Sequence, residues 1–298
     1  MKKQIKYKSI IFLIPIFILF IVPSKTLAAT INSSAESTIS SGDTSIINVY
    51  LNTEGQTINS IEGLITLKDE HNGNFEVKEL SLVNSVFNIW PRKPSLEEGG
   101  KISFVGGIPN GINGDRILLF KIIVKINDSG KFSIIPTKVA VYLNDGLGTA
   151  LDIAKDTSVI SIGKASVNPQ NKWQEIVSND NVAPEPFIIK IVQDSSLFDG
   201  KKFLSFETTD SQSGISYYEV REGAYLAVRT GTSYILINQN KNVDVIVTAY
   251  DKAGNFQVSV LKAKEPIRWL SVIITVLFII MIFKIVKKFR KNKKKNDK

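Results

Sequence analysis

Very few residues in this 298-residue chain have the type and setting that chemistry requires. There is one His and no Cys, which excludes thiol nucleophiles, disulfides and thiolate metal sites. The single imidazole, His71, sits in the hydrophilic stretch Asp69-Glu70-His71-Asn72-Gly73. A catalytic base must be oriented by a further group, and a turn of this kind supplies none. Glycoside hydrolysis would need two carboxylates across a cleft, but the acids here fall in turns or on alternating outer faces and no pair stands out. No GxSxG, HExxH or phosphate-loop motif occurs. The expectation is a non-enzyme, with no catalytic residue, no cofactor and no metal site assigned.

Two segments invite a binding reading. In Phe87-Asn88-Ile89-Trp90-Pro91-Arg92-Lys93-Pro94, aromatic rings beside Arg and Pro can form a sugar-stacking or partner surface. Phe87, Trp90 and Arg92 are the candidate binding residues. The alternative is that Phe87, Ile89 and Trp90 close one end of a sandwich, since aromatics are mostly core. The second segment, Ser178-Asn179-Asp180-Asn181-Val182-Ala183-Pro184, resembles the acidic linkers of calcium-stiffened extracellular repeats. A hard cation wants six or more oxygens. Asp180 alone is too few, so the segment reads as a turn or linker.

The elements that must position these residues are strands. Short runs of Ile, Val, Phe and Thr alternate with Gly, Asn and Asp turns over residues 30–264, and no convincing helical period spans three turns there. In 45–51, Ile47, Val49 and Leu51 share a face. In 61–67, Ile61, Ile65 and Leu67 do so. In 117–126, Leu118, Phe120, Ile122, Val124 and Ile126 face one way. About eight strands are expected by residue 162. A linker with three Pro covers 163–186, with a short helix near 173–177. Seven more strands follow over 187–264, with Val243, Val245, Val247 and Ala249 on one face and a hairpin turn at 251–255 that leads into Phe256, Val258 and Val260. The fold class is therefore all-β: two tandem β-sandwich domains, 30–162 and 187–264, plus one C-terminal transmembrane helix.

The two ends explain the net charge of +9. Residues 1–28 hold five Lys and no acid around an apolar run at 10–22, as in a signal peptide cleaved after Ala28 or Ala29. Residues 267–286 are the expected membrane span, and 287–298 a basic cytoplasmic tail that would leave the N-terminal side outside. Taking out the five Lys of 1–28, and the nine basic residues and one Asp of 284–298, leaves 23 basic and 27 acidic residues of the total 37 and 28. The part between is mildly acidic, which speaks against nucleic acid as a partner. Residues 262–267 (KAKEPI) lack a sortase motif, so the expected location is the plasma membrane, single-pass, with the ectodomain extracellular.

Residues 30–162 resemble the cohesin family. The resemblance rests on Gly42-Asp43, Ile58-Asn59-Ser60-Ile61-Glu62-Gly63-Leu64, Ile102-Ser103-Phe104-Val105-Gly106-Gly107, the run 118–126, and Leu143-Asn144-Asp145-Gly146-Leu147-Gly148-Thr149. It implies a sandwich that engages a dockerin-like protein module or a polysaccharide, within polysaccharide-degrading assemblies. No dockerin-contact residue maps by motif. Residues 187–264 resemble bacterial immunoglobulin-like modules through Asp210-Ser-Gln-Ser-Gly214-Ile215, Tyr218-Glu219-Val220 and Thr248-Ala249-Tyr250-Asp251-Lys252-Ala253-Gly254-Asn255. That likeness implies a spacer or adhesion unit. The function these readings imply is a membrane-anchored, non-catalytic binding or scaffold protein. The alternative is an envelope spacer or adhesin with no specific ligand.

Overall fold

The computed structural model describes residues 28–35, 39–69, 74–151, 153–154, 156–240, 242–263 and 269–296. The expected signal peptide, apart from Ala28, and His71 lie outside the described residues. Between Ala29 and Gly163 the strands are β1 (Ala29–Ala35), β2 (Ile39–Ser40), β3 (Thr44–Asn52), β4 (Ile58–Asp69), β5 (Phe75–Ser81), β6 (Ile89–Glu97), β7 (Lys101–Ile112), β8 (Ile117–Ile126), β9 (Gly130–Leu143), β10 (Ala150–Leu151), β11 (Ile153–Ala154) and β12 (Ser158–Gly163). They form two sheets. One has the order β11-β1-β3-β8-β5, and the other β2-β12-β9-β4-β7-β6 with β10 beside β9.

Alternation explains why the two sheets face each other. Ile47, Val49 and Leu51 of β3 and Phe120, Ile122, Val124 and Ile126 of β8 point into one core. Ile61, Ile65 and Leu67 of β4, Phe104 of β7 and Phe132 and Ile134 of β9 meet them there. Each such side chain contributes roughly 1.5–3 kcal/mol on full burial. One expected position is wrong. Pairing of β3 with β8 slips between Val49 and Tyr50, leaving Leu119 as the extra residue of a bulge. The bulge turns Ile117 and Leu119 inward, so Leu118 is not a core residue of that row.

The segment after Gly163 is not a free spacer. It holds α1 (Lys172–Asn179), with the Asn171 side chain accepting from the Gln174 N–H as an N-cap. Trp173 of α1 packs with Ile46, Val83 and Ile123, on the face of the first sheet that looks away from the core, and Ile176 and Val177 add to the contact. The strand β3 is therefore covered on both faces, which its alternation alone does not foretell.

Seven strands follow: β13 (Lys190–Gln193), β14 (Lys202–Ser205), β15 (Ile215–Glu222), β16 (Val228–Thr230), β17 (Ser233–Ile235), β18 (Val245–Asp251) and β19 (Phe256–Leu261). They form the sheets β13-β14-β17 and β16-β15-β18-β19, around a smaller core of Leu204, Phe206, Tyr218, Val220, Val245, Val247 and Ala249. Phe256, Val258 and Val260 share the outer face: all three are exposed on the edge strand β19.

The last element is α2 (Trp269–Asn296), which runs past the expected span and through most of the basic tail. Its described side chains, 273–287, are all exposed. Among the described residues, no helix is long and apolar enough to cross a membrane. The expected transmembrane helix therefore lacks support from the structure.

Candidate functional site

The structure separates the three candidate binding residues. Phe87 is only 2% exposed and belongs to the core, so it offers no free stacking face. Trp90 is half-buried on the inner side of β6. Its indole N–H donates to the Phe87 carbonyl at 3.0 Å. Its ring lies over Gly106 so closely that a Cβ there would stand 2.8 Å from it, so the glycine is what admits the indole. Arg92 alone faces outward. The segment 87–94 looked non-repetitive because Pro91 and Pro94 interrupt it, yet 89–97 form the edge strand of the larger sheet. An edge tolerates Pro because its outer N–H groups need no ladder partner.

Arg92 heads a row that crosses the outer face of that sheet: Arg92 opposite Val105, Val105 opposite Glu62, and Glu62 opposite Ala140. The neighbouring row sets Ser95 opposite Ser103, Ser103 opposite Leu64, and Leu64 opposite Lys138. Tyr142 donates to Glu62 at 2.7 Å, and this hydrogen bond raises the phenol above its ordinary pKa. Over these residues runs a shallow groove of about 450 Å³. The groove mixes the small and apolar Gly63, Leu64, Val105 and Ala140 with charges of both signs, Arg92, Lys138, Glu62 and Glu97.

Phe87 and Trp90 instead help to wall a second space of about 700 Å³, where the two sandwiches meet. Across it, Lys93 pairs with Glu207 at 3.1 Å, an exposed pair worth at most about 1 kcal/mol. The tighter link is nearby. Lys252 of the second sandwich pairs with Glu79 of β5, and its ammonium stands 5.0 Å from the Trp173 ring centre. The Trp173 indole N–H donates to the same Glu79 at 3.0 Å. Gly214 approaches Val83 so closely that a Cβ would stand 2.9 Å from it, and its φ of +82° suits glycine besides.

Beside this junction lies a cluster that sequence reasoning found only in part. Asp180, just after α1, meets Asp210 and Asp251 of the second sandwich, with a carboxylate oxygen of each within 4.8 Å of the others. All three residues are buried, at 7%, 4% and 2% exposure. Each is shaped by local turn bonds. Asp180 Oδ1 accepts from the Val182 N–H, Asp210 Oδ1 from those of Gln212 and Gly214, and Asp251 Oδ1 from those of Gly254 and Asn255. At an effective dielectric of about 20, each charged pair at this spacing would repel by roughly 3 kcal/mol. The available sequence signal was an Asp followed by Gly three or four positions later, at 210–214 and 251–254. It reads as a turn, and nothing local says that three such turns converge.

No family model matches the sequence and no curated protein matches it. Among solved structures, the chain is similar to a non-cellulosomal cohesin from the archaeon Archaeoglobus fulgidus, at 16% identity over 45% of this chain and 91% of that one, with a TM-score of 0.35. It is also similar to a cohesin module from a Clostridium perfringens family 33 glycoside hydrolase, at 20% identity over 47% and 99%, with a TM-score of 0.37. The major pilin subunit of Bacillus cereus matches at 9% identity over 80% and 67%, with a TM-score of 0.27. At these values the likenesses carry no argument about function.

Proposed function

We propose that the chain is a non-catalytic surface binding protein whose first sandwich docks a protein module on the outer face of the sheet β9-β4-β7-β6. The observation that carries this reading is the row Arg92–Val105–Glu62–Ala140, in which a cation at the edge strand and an anion on β4 alternate with the small apolar Val105 and Ala140. Such an arrangement suits a protein interface, where charges set orientation and steering while small apolar groups permit close contact. A polysaccharide is less well served, because Trp90 is turned inward over Gly106 and Phe87 is buried. The partner class is a dockerin-like module, by the resemblance of residues 30–162 to cohesins. The apolar run at 269–286 and the basic tail would anchor the chain in the plasma membrane with both sandwiches outside. The signal-like stretch 1–28 supports export.

Titrating the full chain with dockerin modules encoded in the same genome tests the reading. Arg92→Glu together with Val105→Glu should weaken binding at least a hundredfold, while leaving the thermal midpoint within a few degrees. If the double variant binds as the wild type does, the face is wrong. Binding on a glycan array with no dockerin binding would assign a polysaccharide instead. No ligand in either assay would leave the spacer reading.

A further inference from the structure

The acidic cluster at the junction points to a metal site, and we propose that Asp180, Asp210 and Asp251 bind one Ca²⁺ ion that ties the interdomain segment to the second sandwich. Three buried carboxylates in one place need a counter-charge, and among the described residues none of the three has an ion-pair partner. The nearest candidate in sequence, Lys252, is committed to Glu79 and to the face of Trp173.

The second observation is independent of the acidity. Asp210 is 96% buried by its 4% exposure, and while its Oδ1 takes two backbone N–H bonds, its Oδ2 has no hydrogen-bond partner at all. A buried carboxylate oxygen left bare is costly, and this one belongs to the carboxylate that closes the cluster. Ser213 donates its backbone N–H to Asp180 Oδ2 at 3.0 Å, yet its own fully buried hydroxyl is likewise unpartnered. The bare Asp210 Oδ2, the Ser213 hydroxyl and the carboxylates of Asp180 and Asp251 are all oxygens, a donor set that suits a hard cation.

Burial favours calcium over magnesium, and the spacing admits it. Ca²⁺ bonds of 2.3–2.6 Å place opposite ligands about 4.6–5.2 Å apart, so one ion can bridge oxygens within 4.8 Å of one another. Mg²⁺ wants a smaller octahedron and keeps several waters, which residues as buried as these accommodate poorly. The turn bonds already hold each carboxylate in place, so little ordering remains to be done on binding.

The three ligands come from separate places: the end of α1, the segment after β14, and the end of β18. The helix α1 is itself packed on the first sandwich through Trp173. An ion here therefore links the second sandwich, through Asp180 and α1, to the first, and sets how stiff the junction is. This inference stands apart from the docking face, which lies on the opposite sheet of the first sandwich.

The test uses the full chain, purified in detergent and stripped with EDTA. Calorimetric titration with CaCl₂ should show one site, with a dissociation constant of roughly 0.1–1 mM or tighter, as in extracellular modules, and MgCl₂ should bind at least tenfold more weakly. Added Ca²⁺ should raise the thermal midpoint of the second sandwich and slow protease cleavage in 180–189. Asp210→Asn keeps the shape and the Oδ1 acceptor, and should weaken Ca²⁺ binding at least tenfold and abolish the midpoint shift. The proposal is overturned if the stripped wild type gives neither saturable heat nor a midpoint change, a result that does not depend on any variant folding. It is equally overturned if Asp210→Asn binds Ca²⁺ as tightly as the wild type.

Discussion

Replacing Trp173 by Ala asks whether α1 is part of the first sandwich or merely passes it. Trp173 is 8% exposed and packs on Ile46, Val83 and Ile123. Truncating a buried Trp costs about 3–5 kcal/mol. The low end applies here, since a surface-docked helix can come away instead of enclosing a cavity. Loss of the indole N–H leaves Glu79 with Lys252 as its remaining partner, and loss of the ring removes a cation–π contact worth up to about 2 kcal/mol when desolvated. The expected total is about 3–4 kcal/mol. At a urea dependence of ~2 kcal/mol per molar, the unfolding midpoint of the first sandwich should fall by about 1.5–2 M. Trp173→Phe keeps an aromatic ring in the contact but loses the hydrogen bond and part of the packed area, so it should cost less, about 1–2 kcal/mol. Limited proteolysis supplies the second readout, because an undocked α1 should be cut within 164–186 well before either sandwich. If Trp173→Ala unfolds at the wild-type midpoint and the segment is cut no faster, α1 is not docked and the segment is the plain linker that its composition suggests.

Gly63→Ala should destabilise the first sandwich by about 1–3 kcal/mol through overpacking, because a Cβ there would stand 2.6 Å from the Phe104 ring; calorimetry of the variant checks this, and an unchanged midpoint would contradict the packing. Burial pushes the Tyr218 phenol up to about 12, against about 10 unfolded. The folded state favours the neutral phenol, so this contribution of roughly 2–3 kcal/mol is fully present below pH 10 and is lost as pH rises from 10 through 12. Tyr218→Phe removes the hydroxyl that accepts from the Thr208 N–H at 3.0 Å; it should cost about 1 kcal/mol at neutral pH and flatten the alkaline loss seen by circular dichroism between pH 10 and 12.

The sequence by itself determined what is local and periodic. Alternation within 45–51, 61–67 and 245–249 placed Ile47, Ile61, Ile65, Val247 and their neighbours in cores, because successive residues of a strand must point to opposite faces whatever surrounds them. The turn chemistry of Asp251-Lys-Ala-Gly-Asn255 was readable for the same reason. Tertiary structure decided what depends on which element lies next to which. It made 89–97 an edge strand despite Pro91 and Pro94, turned Leu119 inward at a bulge, and put Phe256, Val258 and Val260 on the outer face of their sheet. It parted Arg92 from Trp90 and Phe87, which are neighbours in sequence but look to different sides of a sheet. Above all, it brought Asp180, Asp210 and Asp251 together from three turns that each look ordinary alone, since convergence of distant segments leaves no period in the chain that carries them.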